Sequence, residues 1–579
     1  MDDSENKMDA PPVPEPLSAP DLPDYSEPLP RQNIPEEPLI HHKVHGLKRG
    51  DVIFLSLLFL AAFFSVMLTD SGGFGLSWDE AYYYQPSRDA AGWLIQTMFG
   101  PDRPLSADEI ESAWGEIREL PSMPKLALGL SSLMFSDWLG PLRAMRIPSA
   151  VAYALSLVLI YLLALKVTGR PGALAAVFSY ALLPRIFGHA HIAAAESITV
   201  FMTLLTVYCF LKGLKNPWWS VFLGIVFGLA LNTKINCIFL PAILIPWAHA
   251  YHRRKYVNNF FAMAFLSPVI MVITWPWLWH NSAARLLEYI YFFVTHQKTA
   301  IYYFGEKYNY GSETAPWHYP FVMTFLTTLP VVILFTVFGI ISSLKDVKSD
   351  SIKTLFLWSF FAFLAISALP ASPRYDGVRL FLPAFPFLAL LSGIGLHAIL
   401  LRLPKGPPFR GAVYMRDLAA AVGILLIITG GLFSIIRIHP HELSYYNVYT
   451  GGLPGAWKKG METTYWGEAV NEEVIKVLNE LPPDAEIKTL ALHDKVFDLL
   501  QKWDRLRSDL EINEGDPPWD YHLLLVRKSF FSRPEWTLFA NWPRMKVFEE
   551  QGVPLVILSR TGSDFEKTWP RFDPAMLGK

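Results

Sequence analysis

Cysteine is scarce in this sequence, with only 2 residues among 579. Cys209 and Cys237 both lie inside apolar runs, so their spacing supports neither a disulfide framework nor a thiolate metal site. The chain also lacks a glycine-rich phosphate-binding loop, and a nucleotide substrate is therefore not expected. The net charge of -2 gives no argument for a nucleic acid partner, and we expect none.

Apolar side chains, by contrast, are abundant. Hydrophobic residues make up 52% of the chain and aromatic residues 14%, and the mean hydropathy is +0.27. This composition is too apolar for a string of soluble domains and favours a membrane protein. A helix crosses the bilayer core with roughly 20 apolar residues. About eleven windows of that kind can be placed, at 51–69, 143–166, 171–187, 193–212, 217–232, 235–251, 257–278, 319–343, 354–370, 379–401 and 414–436.

The N-terminal segment differs from the rest of the chain. Residues 1–45 are acidic and rich in proline, with few apolar side chains to bury, so we expect them to form a disordered tail. Because a signal peptide begins with a basic region, we expect no cleaved signal peptide here. A basic stretch from His41 to Arg49 precedes the first apolar window and predicts a cytoplasmic N-terminus.

Basic connections between the windows predict the topology. If the N-terminus is inside, every second connection should be cytoplasmic and basic. An odd number of spans then places the chain after Arg437 outside. We therefore predict an integral protein of the cell (inner) membrane, with a transmembrane domain over 46–436 and a long first outer loop over 70–141. The basic connections are 166–170, 212–215, 252–255, 345–353 and 402–416.

The tail 437–579 has a different pattern. Helical periodicity, as at 472–481 and 496–503, alternates with short β-like runs, as at 487–492 and 522–526. This predicts a small extracytoplasmic α/β domain, in which no catalytic signature is apparent. The predicted fold class is thus a polytopic α-helical membrane protein with a small C-terminal α/β domain.

The first outer loop carries two adjacent carboxylates, Asp79 and Glu80, within an aromatic segment from Leu76 to Tyr83. A carboxylate near a low-dielectric boundary has a raised pKa and can act as a general base toward an acceptor hydroxyl. The alternative is an ordinary helix start, with both acids in the first turn beside the helix dipole.

A second outer connection, 184–196, contains Arg185, His189, His191 and Glu196 and leads directly into an apolar helix. Ionisable residues at such positions are costly and are therefore functional candidates. The two histidines could bind a divalent metal, although satisfied interfacial histidines are the alternative. Glu196 could hold Arg185, a metal or the acceptor.

Cations occur in two further outer connections. Arg374 and Arg379 flank the start of a late apolar window, and arginine matches phosphate oxygens with a planar fork of donors. Lys234, between two short windows, could contact a lipid phosphate or could extend to the interface as an anchor. Tyr375 is a further candidate for contact with the acceptor.

Together these segments resemble the GT-C superfamily of membrane glycosyltransferases. The most specific element is Asp79-Glu80, and it is joined by Glu196, Lys234 and the Arg-Tyr…Arg-Leu…Leu-Pro pattern at 374–383. Within the superfamily, the pattern over 50–436 is similar to the family-39-type protein O-mannosyltransferases and the aminoarabinose lipid A transferases.

The resemblance implies a sugar donor carried on undecaprenyl or dolichyl phosphate, an active site at the outer membrane face and inversion at the anomeric carbon. By position in the motif, Asp79 is the general base and Glu80 its catalytic neighbour. Lys234, Arg374 and Arg379 are then candidates for the donor phosphate, as Arg185 is by its charge. No cofactor is required, while a divalent metal stays possible. The acceptor could be a protein, a lipid or another glycan.

Two other function classes fit the composition. A transporter or lipid flippase would also keep charges near the membrane, but such proteins place ionisable residues and broken helices near the midplane. The candidates here lie at the outer rim. A non-enzymatic assembly protein would explain the C-terminal domain but would give the loop around Asp79 no role. We therefore favour the glycosyltransferase.

Overall fold

Most of the chain folds into helices, as the apolar windows predict. The predicted tail 1–45 lies outside the residues that the structure describes. Seven described helical stretches are long and apolar enough to cross a membrane, and two shorter apolar helices, Pro217–Leu231 and Pro330–Lys345, join them. The structure is a computed structural model and describes residues 49–70, 73–101, 103–295, 299–309, 315–370, 372–404, 414–514, 519–541 and 543–561.

The helices up to residue 438 form a bundle with short surface helices and one antiparallel hairpin. The elements of this part are α1 (Arg49–Thr69), α2 (Trp78–Phe99), α3 (Ala107–Trp114), α4 (Ser122–Leu139), α5 (Pro141–Ala181), α6 (Pro184–Ala190), α7 (Ala195–Gly213), α8 (Pro217–Leu231), α9 (Leu240–His252), α10 (Val257–Phe261), α11 (Ser267–Ile273), α12 (Ser282–Thr295), β1 (Ile301–Tyr303), β2 (Glu306–Tyr308), α13 (Tyr319–Thr327), α14 (Pro330–Lys345), α15 (Ser351–Ala368), α16 (Phe385–Arg402) and α17 (Met415–Ile438).

Some helix boundaries differ from the predicted windows. Helix α5 has 41 residues and takes the place of two windows, 143–166 and 171–187. It kinks at Gly169, whose φ of 68° is readily available to glycine. The window 319–343 is divided between α13 and α14. The predicted fold class, a helical membrane protein with a small C-terminal α/β part, is confirmed.

Helix α16 lies in the interior of the bundle, against α5 and α14. Its side chains are buried without interruption from Phe385 to Leu396. Gly395 brings α16 so close to α14 that a Cβ atom there would overlap the carbonyl group of Phe335. Small residues at such contacts let helices pack closely where lipid supplies no hydrophobic driving force.

The C-terminal part contains a five-stranded mixed sheet with the strand order β4-β3-β5-β7-β6. Strand β3 is parallel to β4 and β5, while β7 is antiparallel to β5 and β6. Strand β5 is buried at every residue, as a central strand requires. The elements are α18 (Gly452–Lys458), α19 (Glu472–Asn479), β3 (Glu486–Leu490), α20 (Asp494–Lys502), β4 (Glu511–Ile512), β5 (Tyr521–Leu525), α21 (Arg533–Asn541), β6 (Arg544–Glu550) and β7 (Val553–Arg560).

The chain between α18 and α19 lies against the start of α2. The backbone N–H of Trp78 donates to the carbonyl of Trp466 at 3.1 Å, and that of Gly75 donates to the carbonyl of Glu468 at 3.0 Å. These bonds join the C-terminal part to the predicted first outer loop at the position of the predicted general base.

Candidate functional site

The N-terminus of α2 directs its two adjacent carboxylates to different surroundings. Ser77 caps the helix, and the Glu80 carboxylate accepts bonds from the Ser77 backbone N–H at 3.0 Å and hydroxyl at 2.9 Å. Glu80 also accepts from Arg146 at 2.7 and 2.8 Å and from the Ala193 backbone N–H at 2.8 Å. Both oxygens of Glu80 are engaged in a buried cap and ion pair, which is the placement that the helix-start alternative predicts.

Asp79 faces the other way, toward Arg379. The Arg379 guanidinium donates from Nη2 to Asp79, from Nε to Glu196 at 2.8 Å and from Nη1 to Asp376 at 2.9 Å. Lys234 Nζ donates to the same Glu196 oxygen at 2.7 Å. We call these five residues the Arg379 cluster. Four of them, all except Asp376, are predicted site residues from four different connections.

The Arg379 cluster is electrostatically coupled but not sealed. Burial raises the pKa of Asp79 to about 6, Arg379 opposes this shift, and the carboxylates of Glu196 and Asp376 reinforce it. The side chains of Asp79 and Lys234 are each 15% exposed, whereas that of Glu196 is 3% exposed. A ligand can therefore reach Asp79 and Lys234 more readily than the rest of the cluster.

Two residues of the C-terminal part complete the cluster, and the sequence reasoning missed both. The Trp466 ring lies over Arg379, with 4.1 Å from the guanidinium carbon to the ring centroid. Arg527 Nη2 lies 2.9 Å from Asp376 Oδ1, and its side chain is 2% exposed. In the sequence, Arg527 could have been found as a cation directly after the apolar run that forms β5. Asp376 could have been found as the acid between two selected arginines.

Arg185 is buried close to the cluster without a carboxylate partner among the described residues. It donates from Nε to the Tyr445 carbonyl at 3.0 Å and from Nη1 to the Tyr465 hydroxyl at 3.3 Å. Its guanidinium carbon lies 4.7 Å from the centroid of the Tyr446 ring. Nη2 is buried and has no hydrogen-bond partner in the described part of the chain. A buried cation of this kind is suited to an anionic ligand.

Arg374 has a different environment from the one predicted. It donates to the carbonyls of Ser367 at 2.7 Å and Ala368 at 2.6 Å, and also to those of Leu369 and Ala315. Arg374 therefore binds the free carbonyls at the end of α15, and the structure does not bring it into the Arg379 cluster.

Tyr375, a predicted acceptor contact, follows this arginine and is half-buried. Burial raises the pKa of Tyr375 to about 12, and the nearby charges of Arg379 and Asp376 also act on it. Tyr375 thus borders the cluster.

The two predicted histidines are buried and pack against aromatic rings. His191 contacts the Thr69 hydroxyl and the Phe187 carbonyl, each at 2.8 Å, and His189 lies edge-on to Trp466. Burial lowers the pKa of both histidines to about 3, so both are neutral. Within the described ranges, no group of three or more His, Cys, Asp or Glu side chains could hold a metal ion. The placement favours packing over metal binding.

Comparison with known proteins finds a family model that matches part of the chain. Residues 121–280 match the family model described as dolichyl-phosphate-mannose-protein mannosyltransferase. The matched segment contains Arg185, Glu196 and Lys234 and ends before Arg379. Over these residues, the similarity to protein O-mannosyltransferases that the motifs indicated is confirmed. No curated protein matches the chain significantly.

Several solved structures are similar over most of the chain at low identity. One is ArnT from Cupriavidus metallidurans bound to undecaprenyl phosphate, at 14% identity and a TM-score of 0.48, covering 90% of this chain and 99% of that chain. Another is the Archaeoglobus fulgidus oligosaccharyltransferase tethered to an acceptor peptide, at 12% and 0.44, covering 78% and 63%. A third is the arabinosyltransferase EmbB from Mycobacterium smegmatis, at 12% and 0.40, covering 72% and 44%.

Proposed function

We propose that this protein is a membrane glycosyltransferase that moves a sugar from a polyprenyl-phosphate donor to an acceptor hydroxyl, with Asp79 as the general base. The observation that carries the proposal is the Arg379 cluster, in which a partly exposed carboxylate with a pKa of about 6 lies near a partly exposed lysine. A general base works best when its pKa is close to the operating pH.

Oδ1 of Asp79 accepts no hydrogen bond from the described part of the chain, which leaves it for the acceptor. The bonds that Asp79 accepts from Arg379 and from the Tyr83 hydroxyl, the latter at 3.4 Å, both go to Oδ2. In the proposed reaction, Oδ1 takes the proton of the acceptor hydroxyl as that oxygen attacks the anomeric carbon. The bond from that carbon to the phosphate oxygen breaks, and its electron pair leaves with the polyprenyl phosphate. Attack from the opposite face inverts the configuration.

Cations beside Asp79 would stabilise the leaving phosphate. Lys234 is partly exposed, and Arg185 has a buried nitrogen without a partner in the described chain, so both are candidates for the phosphate oxygens. The donors of Arg379 already point to three carboxylates. Arg379 is therefore better suited to hold Asp79 and Glu196 in place than to bind the donor, and positioning of this kind contributes much of the rate in group transfer.

The position of the cluster along the helices supports an active site at a membrane face. Glu196 lies in the first turn of α7, and Lys212 lies in its last turn. A helix of this length spans about 28 Å, close to the thickness of a bilayer core. Because the basic connections lie at the far end, the positive-inside rule favours the non-cytoplasmic face for the Arg379 cluster.

The test is release of polyprenyl phosphate by purified protein in lipid nanodiscs supplied with polyprenyl-phosphate sugars, with water as the acceptor hydroxyl where no other acceptor is added. Wild type should release the lipid, and Asp79→Asn should release it at least about 100-fold more slowly, as loss of a general base does. The matched control is Asp89→Asn, because Asp89 is an exposed aspartate on the same helix and should tolerate the change. Equal release from Asp79→Asn and wild type would remove Asp79 from the mechanism.

A further inference from the structure

A second group of charges lies at the other end of α7 from the Arg379 cluster. Lys166 Nζ lies 4.9 Å from the centroid of the Tyr208 ring, and Lys212 Nζ lies 5.5 Å from the same centroid. Lys212 Nζ is also 5.7 Å from the centroid of the Trp219 ring, which meets Tyr208 edge to face. We call these four residues the basic patch.

The positive charge of the basic patch is not compensated within the described chain. Neither Lys166 nor Lys212 forms an ion pair with any carboxylate that the structure describes, and Lys215 adds a third positive charge nearby. A lysine that serves only as an interfacial anchor extends away from other cations into water. Two ammonium groups held over one ring repel each other, and an anion between them removes that repulsion.

The surface beside the basic patch is apolar and exposed. Helix α8 starts next to Lys215, and it presents Trp218 at 80% exposure, Val221 at 46% and Phe222 at 44%. Exposed apolar side chains of a spanning helix face acyl chains, and tryptophan favours the interface between headgroups and hydrocarbon. The ligand that fits both features has a phosphate next to hydrocarbon.

We propose that the basic patch binds the headgroup phosphate of an anionic phospholipid. The phosphate oxygens accept hydrogen bonds from Lys166 and Lys212, and the acyl chains lie along the exposed face of α8. This site is separated from the Arg379 cluster by the length of α7 and does not depend on the proposed reaction. Basic pockets between transmembrane helices bind anionic lipid headgroups by the same chemistry.

Lipid binding can be measured by native mass spectrometry of the full-length protein titrated with phosphatidylglycerol or phosphatidylcholine. We expect phosphatidylglycerol to be retained and the double variant Lys166→Gln/Lys212→Gln to bind it at least about tenfold more weakly. The matched control is Lys345→Gln/Lys348→Gln, which removes the same charge from exposed lysines at and just beyond the end of α14 and should bind like wild type. Inorganic phosphate at the lipid concentration should not compete.

Three results would overturn the proposal. Equal retention of the two lipids by wild type would show that the headgroup charge is not recognised. Equal weakening in both double variants would show a diffuse surface effect instead of a site. Displacement of the lipid by inorganic phosphate would identify the ligand as free phosphate. Thermal unfolding without added lipid should be similar for all variants, because removal of repelling charges does not disrupt packing.

Discussion

Two arginines, Arg146 and Arg379, bind carboxylates that are adjacent in the sequence, and their surroundings differ. Arg146 pairs with Glu80 and Asp70, and all three side chains are at most 2% exposed. Arg379 pairs with Asp79, and these side chains are 10% and 15% exposed. The group of Arg146, Glu80 and Asp70 is closed to solvent, and we call it the sealed cluster. The Arg379 cluster reaches the surface, and we also call it the open cluster.

The difference arises from the geometry of the helix start. Successive helical residues point about 100° apart, so Glu80 turns inward beneath α2 while Asp79 turns toward the opening. Arg146 also donates to the carbonyl of Gly75 at 2.8 Å, which fixes the loop before the helix. The sealed cluster therefore holds the loop in shape, whereas the open cluster leaves Asp79 accessible to a ligand.

Breaking the sealed cluster should have the largest effect on stability. Arg146→Gln would leave Glu80 and Asp70 buried without their cation, and loss of one partner of a buried ion pair costs about 3–5 kcal/mol. Denaturant unfolding of the purified protein measures this loss. The control is Arg103→Gln, an exposed arginine beyond the end of α2, which should change stability by less than about 0.5 kcal/mol. Equal stability of the two variants would contradict the structural role of Arg146.

Much of the candidate site could be predicted from the sequence. Asp79, Glu196, Lys234 and Arg379 are ionisable residues beside apolar runs, where a charge is expensive unless it has a function or a partner. Hydropathy and the positive-inside rule also predict that their connections share one membrane face. The structure brings these four residues together.

The remaining assignments depend on contacts that the sequence does not reveal. Glu80 and Arg374 satisfied the same local criteria as Asp79 and Arg379, but their partners are an arginine of α5 and the free carbonyls of α15. Arg527 lies in a domain with no apparent catalytic signature. Its partner Asp376 is distant in sequence, so local patterns could not connect them.

Breaking the link between the open cluster and the C-terminal part should have an intermediate effect, on turnover. Among the described residues, Arg527→Gln leaves Asp376 with Arg379 as its only close arginine, and this draws Arg379 away from Asp79. We expect kcat for release of polyprenyl phosphate to fall about tenfold, equivalent to about 1.4 kcal/mol, with a smaller change in KM.

Two variants distinguish positioning from folding. Arg527→Lys should restore part of kcat because it keeps the positive charge beside Asp376. Arg533→Gln, an exposed arginine at the start of α21, should behave like wild type. If Arg527→Lys lowers KM and kcat as much as Arg527→Gln does, the arginine acts only through packing.

The smallest expected effect is a shift in the pH dependence of the open cluster. Asp79 accepts a proton only when it is ionised, so the rate should rise with pH and reach half of its maximum near the pKa of about 6.

Glu196 raises this pKa by its negative charge. Glu196→Gln removes that charge and leaves Arg379 closer to full pairing with Asp79. The midpoint of the rate profile should therefore move to lower pH, even where the maximal rate falls, while Asp89→Asn should leave it in place. A midpoint that stays near 6 in Glu196→Gln would mean that the titrating group is not Asp79 in the Arg379 cluster.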